Sequence, residues 1–222
     1  ALTTQGHLLL AEDNPVNQAV ALGMLRKFGY TVDVVKNGLE AIDAVQHKTY
    51  DLVLMDCMMP EMDGYRATTE IRRQQSAGRL HHFPIIALTA NAIEGDREKC
   101  LTTGMDDYLA KPIKAKDLVN IIELWLGNSK SIRSRNNLSE LEQSNNQDSI
   151  DPDALASIRS LEVDYGDELL KQVISTYLDN SSKLMQALEQ AWSIGDLKAI
   201  RMTSHTLKSS SSQVGAHSLA EL

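Results

Sequence analysis

The stretch from Asp51 to Gly64, DLVLMDCMMPEMDG, constrains this chain more than any other. Its first half, Asp51 to Met55, is a short apolar run, the pattern of a strand buried on both faces. It ends at Asp56. Pro60 and Gly64 then punctuate a loop, and an amphipathic segment resumes beyond it. A carboxylate at the C-terminal end of a central strand lies where open α/β sheets place their ligand sites. Taken alone, Asp56 fits the cap of the next turn equally well.

Three other apolar runs end in chemically useful residues. His7 to Ala11 runs into Glu12-Asp13, Pro84 to Leu88 into Thr89-Ala90, and Tyr108 to Ala110 into Lys111-Pro112. In a parallel sheet with helical crossovers these ends share one edge. Three acids, a hydroxyl and a lysine then converge on one crevice. Clustered carboxylates repel one another and raise their pKa values. A hard divalent cation relieves that repulsion, and an all-oxygen site that retains water suits Mg²⁺. Mg²⁺, Lys111 and Thr89 would surround a phosphoryl group on Asp56. Metal, cationic clamp, hydroxyl donor and carboxylate nucleophile are the parts phosphoryl transfer needs.

In the order and spacing of Glu12-Asp13, Asp56, the MPEMDG loop, Thr89-Ala90, Tyr108 and Lys111-Pro112, residues 1–128 resemble a response-regulator receiver domain. The resemblance implies that Asp56 is the phosphoacceptor. It also implies that Asp13, Asp56 and the Met58 carbonyl hold Mg²⁺, with Glu12 acting mostly through water. Thr89 and Tyr108 look like the switch pair, while Cys57 and Met58 beside the phosphosite would tune its lifetime.

The chain has 222 residues, enough for one large or two small domains. Its net charge of −8 argues against a nucleic-acid partner. Cys57 and Cys100 form no CxxC pair and fit a reducing compartment. No apolar run approaches a membrane span, and no signal-peptide pattern stands at Ala1. The abrupt start suggests a piece of something longer. Asn14-Pro15 opens a first helix as cap and first position, with Val16, Val20, Met24 and Phe28 as its stripe and Gly29 ending it. A strand follows at 31–35, and helices at 38–45, 65–75, 94–103 and 117–126. The adjacent His81 and His82 lie in a loop and chelate poorly. Five strand–helix repeats predict a doubly wound parallel sheet of flavodoxin-like order 2-1-3-4-5.

Residues 129–150 are rich in Ser, Asn and Gln and cannot bury enough apolar surface to offset ordering entropy. They read as a flexible linker, with a short helical turn around Leu138 to Leu141. From 151 to 222 the periodicity is helical. Leu155, Ile158 and Leu161 form one stripe. Leu170, Val173, Ile174, Tyr177 and Leu178, continued by Leu184 and Leu188, form a second. After Gly195-Asp196, Leu197, Ile200 and Leu207 mark the inner face of a third helix. His205 lies off that stripe and shares a face with Lys208, Ser209 and Ser212.

The words SHTLKSSSSQVGA around His205 resemble the signature of histidine phosphotransfer (HPt) domains, which are helical bundles. The resemblance implies that His205 is the phosphorylated imidazole and that Lys208, one turn on, neutralises the phosphoryl oxygens. Ser209 stands where a glycine is usual. The bundle of residues 151–222 looks incomplete at its C-terminal end. It is expected to be partly disordered or to complete itself on a second copy, leaving the receiver unaffected.

A receiver followed by a phosphotransfer domain resembles the C-terminal part of a hybrid sensor histidine kinase. The implied function is two-component phosphorelay signalling, from a kinase histidine to Asp56, to His205, and on to another receiver. The implied partners are a histidine kinase domain, in cis or as a dimer partner, and a downstream response-regulator receiver. No Gly-rich phosphate loop with its lysine is present, so the sequence holds no ATP-binding kinase core. The phosphotransfer role is compatible with autophosphatase activity. The expected location is the cytoplasm, with a parent protein anchored in a bacterial inner membrane. A second reading makes the receiver a docking module whose partner binding phosphorylation controls. A haloacid-dehalogenase-type phosphatase would need a second Asp where Met58 stands.

Overall fold

The computed structural model describes residues 5–90, 94–127, 150–161 and 168–220. The first part alternates strands and helices. These are β1 (His7–Ala11), α1 (Pro15–Lys27), β2 (Thr31–Val35), α2 (Gly38–His47), β3 (Leu52–Asp56), α3 (Gly64–Ser76), β4 (Ile85–Thr89), α4 (Glu94–Thr103), β5 (Asp107–Ala110) and α5 (Ala115–Trp125). The strands form one parallel sheet in the order β2-β1-β3-β4-β5, as the sequence predicts. The inner strands β3 and β4 are buried along their whole length, which is why they read as continuous apolar runs.

Two apolar layers cover the sheet. Val45, Ala67, Ile71, Phe83 and Cys100 pack on one face with Leu9, Val53 and Met55. Val16, Val20, Leu118, Ile121 and Ile122 pack on the other with Leu8, Leu10 and Leu54. Asn14 caps α1, its side chain accepting from the Val16 amide at 2.9 Å, and Pro15 occupies the first turn.

Beyond the central segment lie α6 (Pro152–Arg159), α7 (Glu168–Ile194), α8 (Leu197–Gln213) and a final turn, α9 (His217–Ala220). The linker expected at 129–150 and the helical turn near 138–141 fall almost wholly outside the described residues. The helices α6 to α8 do not stand apart from the sheet domain. α7 and α8 pack on α1, and Ile158, Leu161, Val173 and Val214 join the same apolar cluster as Val16 and Val20. Lys27 Nζ donates to the Ser160 carbonyl at the edge of this contact.

The arrangement bears on the expected helical stripes. Val173 and Leu207 are buried, and Leu170 and Tyr177 half-buried, against α1 and between α7 and α8. Leu178, expected on the same stripe, is 61% exposed. Leu197, expected on the inner face of its helix, is 79% exposed. It lies with Trp192 and Ile194 around the α7–α8 turn, at the end of the hairpin away from α1.

Gly23 makes the close approach possible. A Cβ at that position would lie 2.7 Å from Leu169 Cδ2 and 3.5 Å from Leu161 Cδ1. The first distance is well inside ordinary carbon–carbon contact, roughly 3.5–4.0 Å.

Candidate functional site

The sheet carries the predicted residues to one edge. Ala11 pairs with Met55, Asp56 with Leu88 and Thr89 with Ala110, so the chain ends of β1, β3, β4 and β5 are level. Glu12, Asp13 and Asp56 can each offer a carboxylate oxygen, all within 4.8 Å of one another. Lys111 reaches across from the end of β5. Its Nζ lies 2.6 Å from Asp56 Oδ2 and 2.7 Å from Glu12 Oε2. The Lys111 backbone N–H donates to the Thr89 carbonyl at 2.7 Å, tying β5's exit to β4.

The loop after β3 is held tightly. The Met58 N–H donates to Asp56 Oδ1 at 3.1 Å, and the Gly64 N–H to the Cys57 carbonyl at 3.3 Å. A Cβ on Gly64 would sit 2.1 Å from the Asp56 carbonyl oxygen, so only glycine lets α3 start against the end of β3. Asp63 caps α3, accepting from the Arg66 N–H.

The electrostatics follow from burial. Lys111, Glu12 and Asp56 side chains are 4%, 1% and 3% exposed. Burial pushes Glu12 up to about 7 against the pull of Lys111, with Asp56 adding to the rise. Burial and the Glu12 charge push Asp13 up to about 6. Burial also raises Asp56, opposed by Lys111. For Lys111 burial works downward, but Asp56 and Glu12 outweigh it and keep the ammonium charged. Three carboxylates against one ammonium leave a surplus of negative charge. Oxygen donors in that balance fit a hard divalent cation such as Mg²⁺.

Thr89 is buried at the end of β4, and Tyr108 is half-buried on β5 with the Arg97 guanidinium 5.8 Å from its ring centre. Cys57 and Cys100 are buried thiols with their sulphurs 3.8 Å apart. Hydrogen bonding to Cys100, burial and the nearby Cys100 charge all push the Cys57 thiol up, so it is not a thiolate.

The structure brings α8 to this same edge. Asn14 Nδ2 donates to the Thr206 carbonyl at 3.0 Å, and the Thr206 hydroxyl contacts the Asp13 carboxylate. Asn17 Nδ2 donates to Ser209 Oγ at 2.9 Å, and the Ile113 N–H donates to Gln213 Oε1 at 3.2 Å. His205 is thus half-buried over the receiver's acidic edge, not on a solvated face. Burial lowers its pKa, and the Lys111 charge lowers it further against the pull of Glu12. Its Nε2 is buried and has no hydrogen-bond partner among the described residues. Lys208 lies exposed on the same helix, its charge reaching the His205 ring.

Sequence reasoning missed Asn14, Asn17, Thr206 and Gln213 as site residues. One signal was available for the first two. From Val16 to Leu25 the helix α1 is apolar almost all round, and such a helix is buried on more than its sheet-facing side. Asn17 and Gln18 interrupt that surface.

Comparison with known proteins agrees with this geometry. Residues 8–123 match the response regulator receiver domain family and residues 172–222 match the Hpt domain family. The chain belongs to the response regulator receiver family, with an Hpt domain following in the same polypeptide. It is 46% identical over 120 residues to hybrid signal transduction histidine kinase B of Dictyostelium discoideum, a match covering 50% of this chain and 6% of that protein. It resembles the receiver domain of the Pseudomonas aeruginosa sensor histidine kinase PA1611, solved with a magnesium ion in its active-site cleft. That likeness has 52% identity and a TM-score of 0.50, covering 55% of this chain and 98% of that one. A further likeness is to a chain in the co-crystal of the Saccharomyces cerevisiae phosphotransfer protein Ypd1 with the receiver domain of Ssk1. There the identity is 32% and the TM-score 0.50, covering 54% of this chain and 87% of that one. The chain spans only a small part of the kinase's length. Receiver and Hpt domains together are those of a two-component phosphorelay. No described helix is long and apolar enough to cross a membrane.

Proposed function

We propose that this chain is a phosphorelay segment in which Asp56 accepts a phosphoryl group from a kinase histidine and passes it to His205. From His205 it goes to the receiver of a downstream response regulator. The observation that carries this reading is the seating of α8 on the acidic edge, with the unpartnered Nε2 of His205 inside the field of Lys111 and Glu12.

Asp13, Asp56 and the Met58 carbonyl would hold Mg²⁺, with Glu12 nearby. When bound, the cation neutralises charge on the phosphoryl oxygens. The chain's own residues do the rest. Asp56 is nucleophile in the first transfer and leaving group in the second. Lys111 clamps the phosphoryl oxygens and stabilises the carboxylate as it departs. In the second step the neutral His205 Nε2 attacks phosphorus. An N–P bond forms, the P–O bond to Asp56 breaks, and the electron pair leaves with the Asp56 carboxylate. A lowered pKa suits this role, because only neutral imidazole carries the lone pair. Acyl phosphate and phosphoramidate are both high-energy, so the exchange is near balanced. Lys208 offers a cation one turn from the phosphorylated ring once the helices separate. Thr89 and Tyr108 act as the switch pair, the hydroxyl moving toward the phosphoryl group and the ring following.

The domain division that goes with this reading is receiver 1–128, linker 129–150 and phosphotransfer domain 151–222. A hybrid histidine kinase, with these domains in the cytoplasm and its anchor in the membrane, is the proposed parent. Acetyl phosphate labelling with intact-mass detection tests the first acceptor. One phosphoryl group is expected in the wild type and none in Asp56→Ala; undiminished incorporation in Asp56→Ala overturns the assignment. Labelling of Asp56 that never reaches His205 would favour the docking-module reading.

A further inference from the structure

We propose that Asn17 and Ser209 form a matched pair that selects which phosphotransfer helix this receiver accepts. The inference rests on the relay reading above and concerns the choice of partner within it.

Asn17 is 3% exposed and Ser209 is 6% exposed. Asn17 lies on the side of α1 that meets α8, in an interface whose apolar residues include Leu161 and Val173. Its amide nitrogen carries two donors. One goes to Glu12 Oε1 at 3.0 Å and the other to Ser209 Oγ at 2.9 Å. The donors are thus met only when the docked helix brings an acceptor to that one place. A buried donor left unmet is costly, whereas replacing both partners by apolar groups is close to neutral. A helix with glycine or alanine there leaves the second donor of Asn17 facing nothing.

Register is read at the same time. Thr206, Ser209 and Gln213 lie along one face of α8, and Asn14, Asn17 and the Ile113 N–H address them in turn. A slip of one residue breaks all three bonds. A polar contact set into an apolar interface specifies alignment in this way, as a single buried Asn does in a coiled coil. The serine standing where the phosphotransfer signature has glycine therefore has a partner and a use. It suits this receiver and makes transfer within the chain, or to a helix with a hydroxyl at the same place, the favoured path. Because Asn17 also holds Glu12, the selecting contact is joined directly to the acidic edge.

The test uses the full chain, acetyl phosphate with Mg²⁺, and the rate at which label reaches His205. Ser209→Ala should slow that step roughly tenfold, the factor set by one unmet buried donor. Because Asn17→Ala also strips Glu12 of its hydrogen bond, the two changes are read as a cycle: Asn17→Ala should slow transfer less in the Ser209→Ala background than in the wild type, since the donor it removes there is already unmet. Hydrogen exchange of α8 should show the same coupling. A single variant at the wild-type rate would overturn the pairing. So would a double variant slower than Ser209→Ala by the independent cost of losing Asn17, since additivity means no coupling. A wild type that labels Asp56 alone would remove the relay reading and the pair with it; wild-type transfer with uncoupled variants would remove the pair only.

Discussion

Gly23→Leu should lift the phosphotransfer helices off the receiver while leaving the receiver folded. A Cβ at Gly23 already meets Leu169 Cδ2 at 2.7 Å, and Leu161 Cδ1 closes the space at 3.5 Å. Alanine is the instructive control. Its clash is with the far end of a flexible side chain, which can swing aside. Its helix propensity improves on glycine by about 0.8–1 kcal/mol. The two effects nearly cancel in the docked protein, and the receiver alone should gain. Leucine adds three more carbons where Leu161 and Leu169 already pack, and overpacking of that kind costs about 1–3 kcal/mol. At about 1.4 kcal/mol per factor of ten, docking should weaken by roughly five- to 150-fold. Gly23 is on the outward side of α1, so the sheet-facing contacts of Val20 and Leu25 do not change. Hydrogen exchange would be measured on both parts. Amides of residues 168–178 should lose protection in Gly23→Leu and keep it in Gly23→Ala, while β1, β3 and β4 stay protected in both. Wild-type protection at 168–178 in the leucine variant would refute the tight-approach reasoning, as would loss of protection in the strands.

Other outcomes follow from the site. Gly64→Ala places a methyl 2.1 Å from the Asp56 carbonyl oxygen, which is backbone and cannot swing away; the receiver's denaturation midpoint should fall by the equivalent of about 1–3 kcal/mol, and Asp56 labelling should be lost. Lys111→Met leaves Asp56 and Glu12 buried without their cation. Breaking such a pair costs about 3–5 kcal/mol. Because the two acids can neutralise themselves by protonation, the loss measured by urea denaturation without Mg²⁺ should be larger at pH 8 than at pH 5. His205 has a lowered pKa when docked, so its contribution to docking is complete above the ordinary histidine value of about 6.5 and fades as pH falls through it. The His205-dependent part of α8's exchange protection should decline on acidification, read as the difference in pH slope between the wild type and His205→Gln, since Glu12 and Asp13, raised beside α8, work in the opposite direction.

The receiver was legible because its constraints are local. β1, β3, β4 and β5 are short apolar runs, and each ends in a candidate site residue, so Asp56, Lys111, Thr89 and the Glu12-Asp13 pair could be placed on one edge from spacing alone. Asn14-Pro15 marked the start of α1, and the structure puts the cap there. The docking of α8 was not legible in the same way. It depends on contacts between residues almost two hundred positions apart, such as Asn14 with Thr206 and Asn17 with Ser209. Helical periodicity reports which face of a helix is apolar, not what covers it. The stripe of Leu170, Val173 and Tyr177 therefore does not name its neighbour, which is α1 of the receiver. The apolar surround of α1 and the small residue at Gly23 were the available hints. Leu197 misled for a related reason: it follows the period of α8 but lies at the open end of the hairpin, where it stays 79% exposed.

The most direct measurement is a pulse–chase on the full chain. Asp56 is charged briefly with a small phosphodonor and Mg²⁺, the donor is removed, and the label is followed by its chemistry, base-labile on the carboxylate and acid-labile on the imidazole. Label should leave Asp56 and appear on His205 at a rate independent of protein concentration, because the two groups belong to one docked chain. Label that is lost from Asp56 only to water, with none on His205 at any time, would contradict the relay.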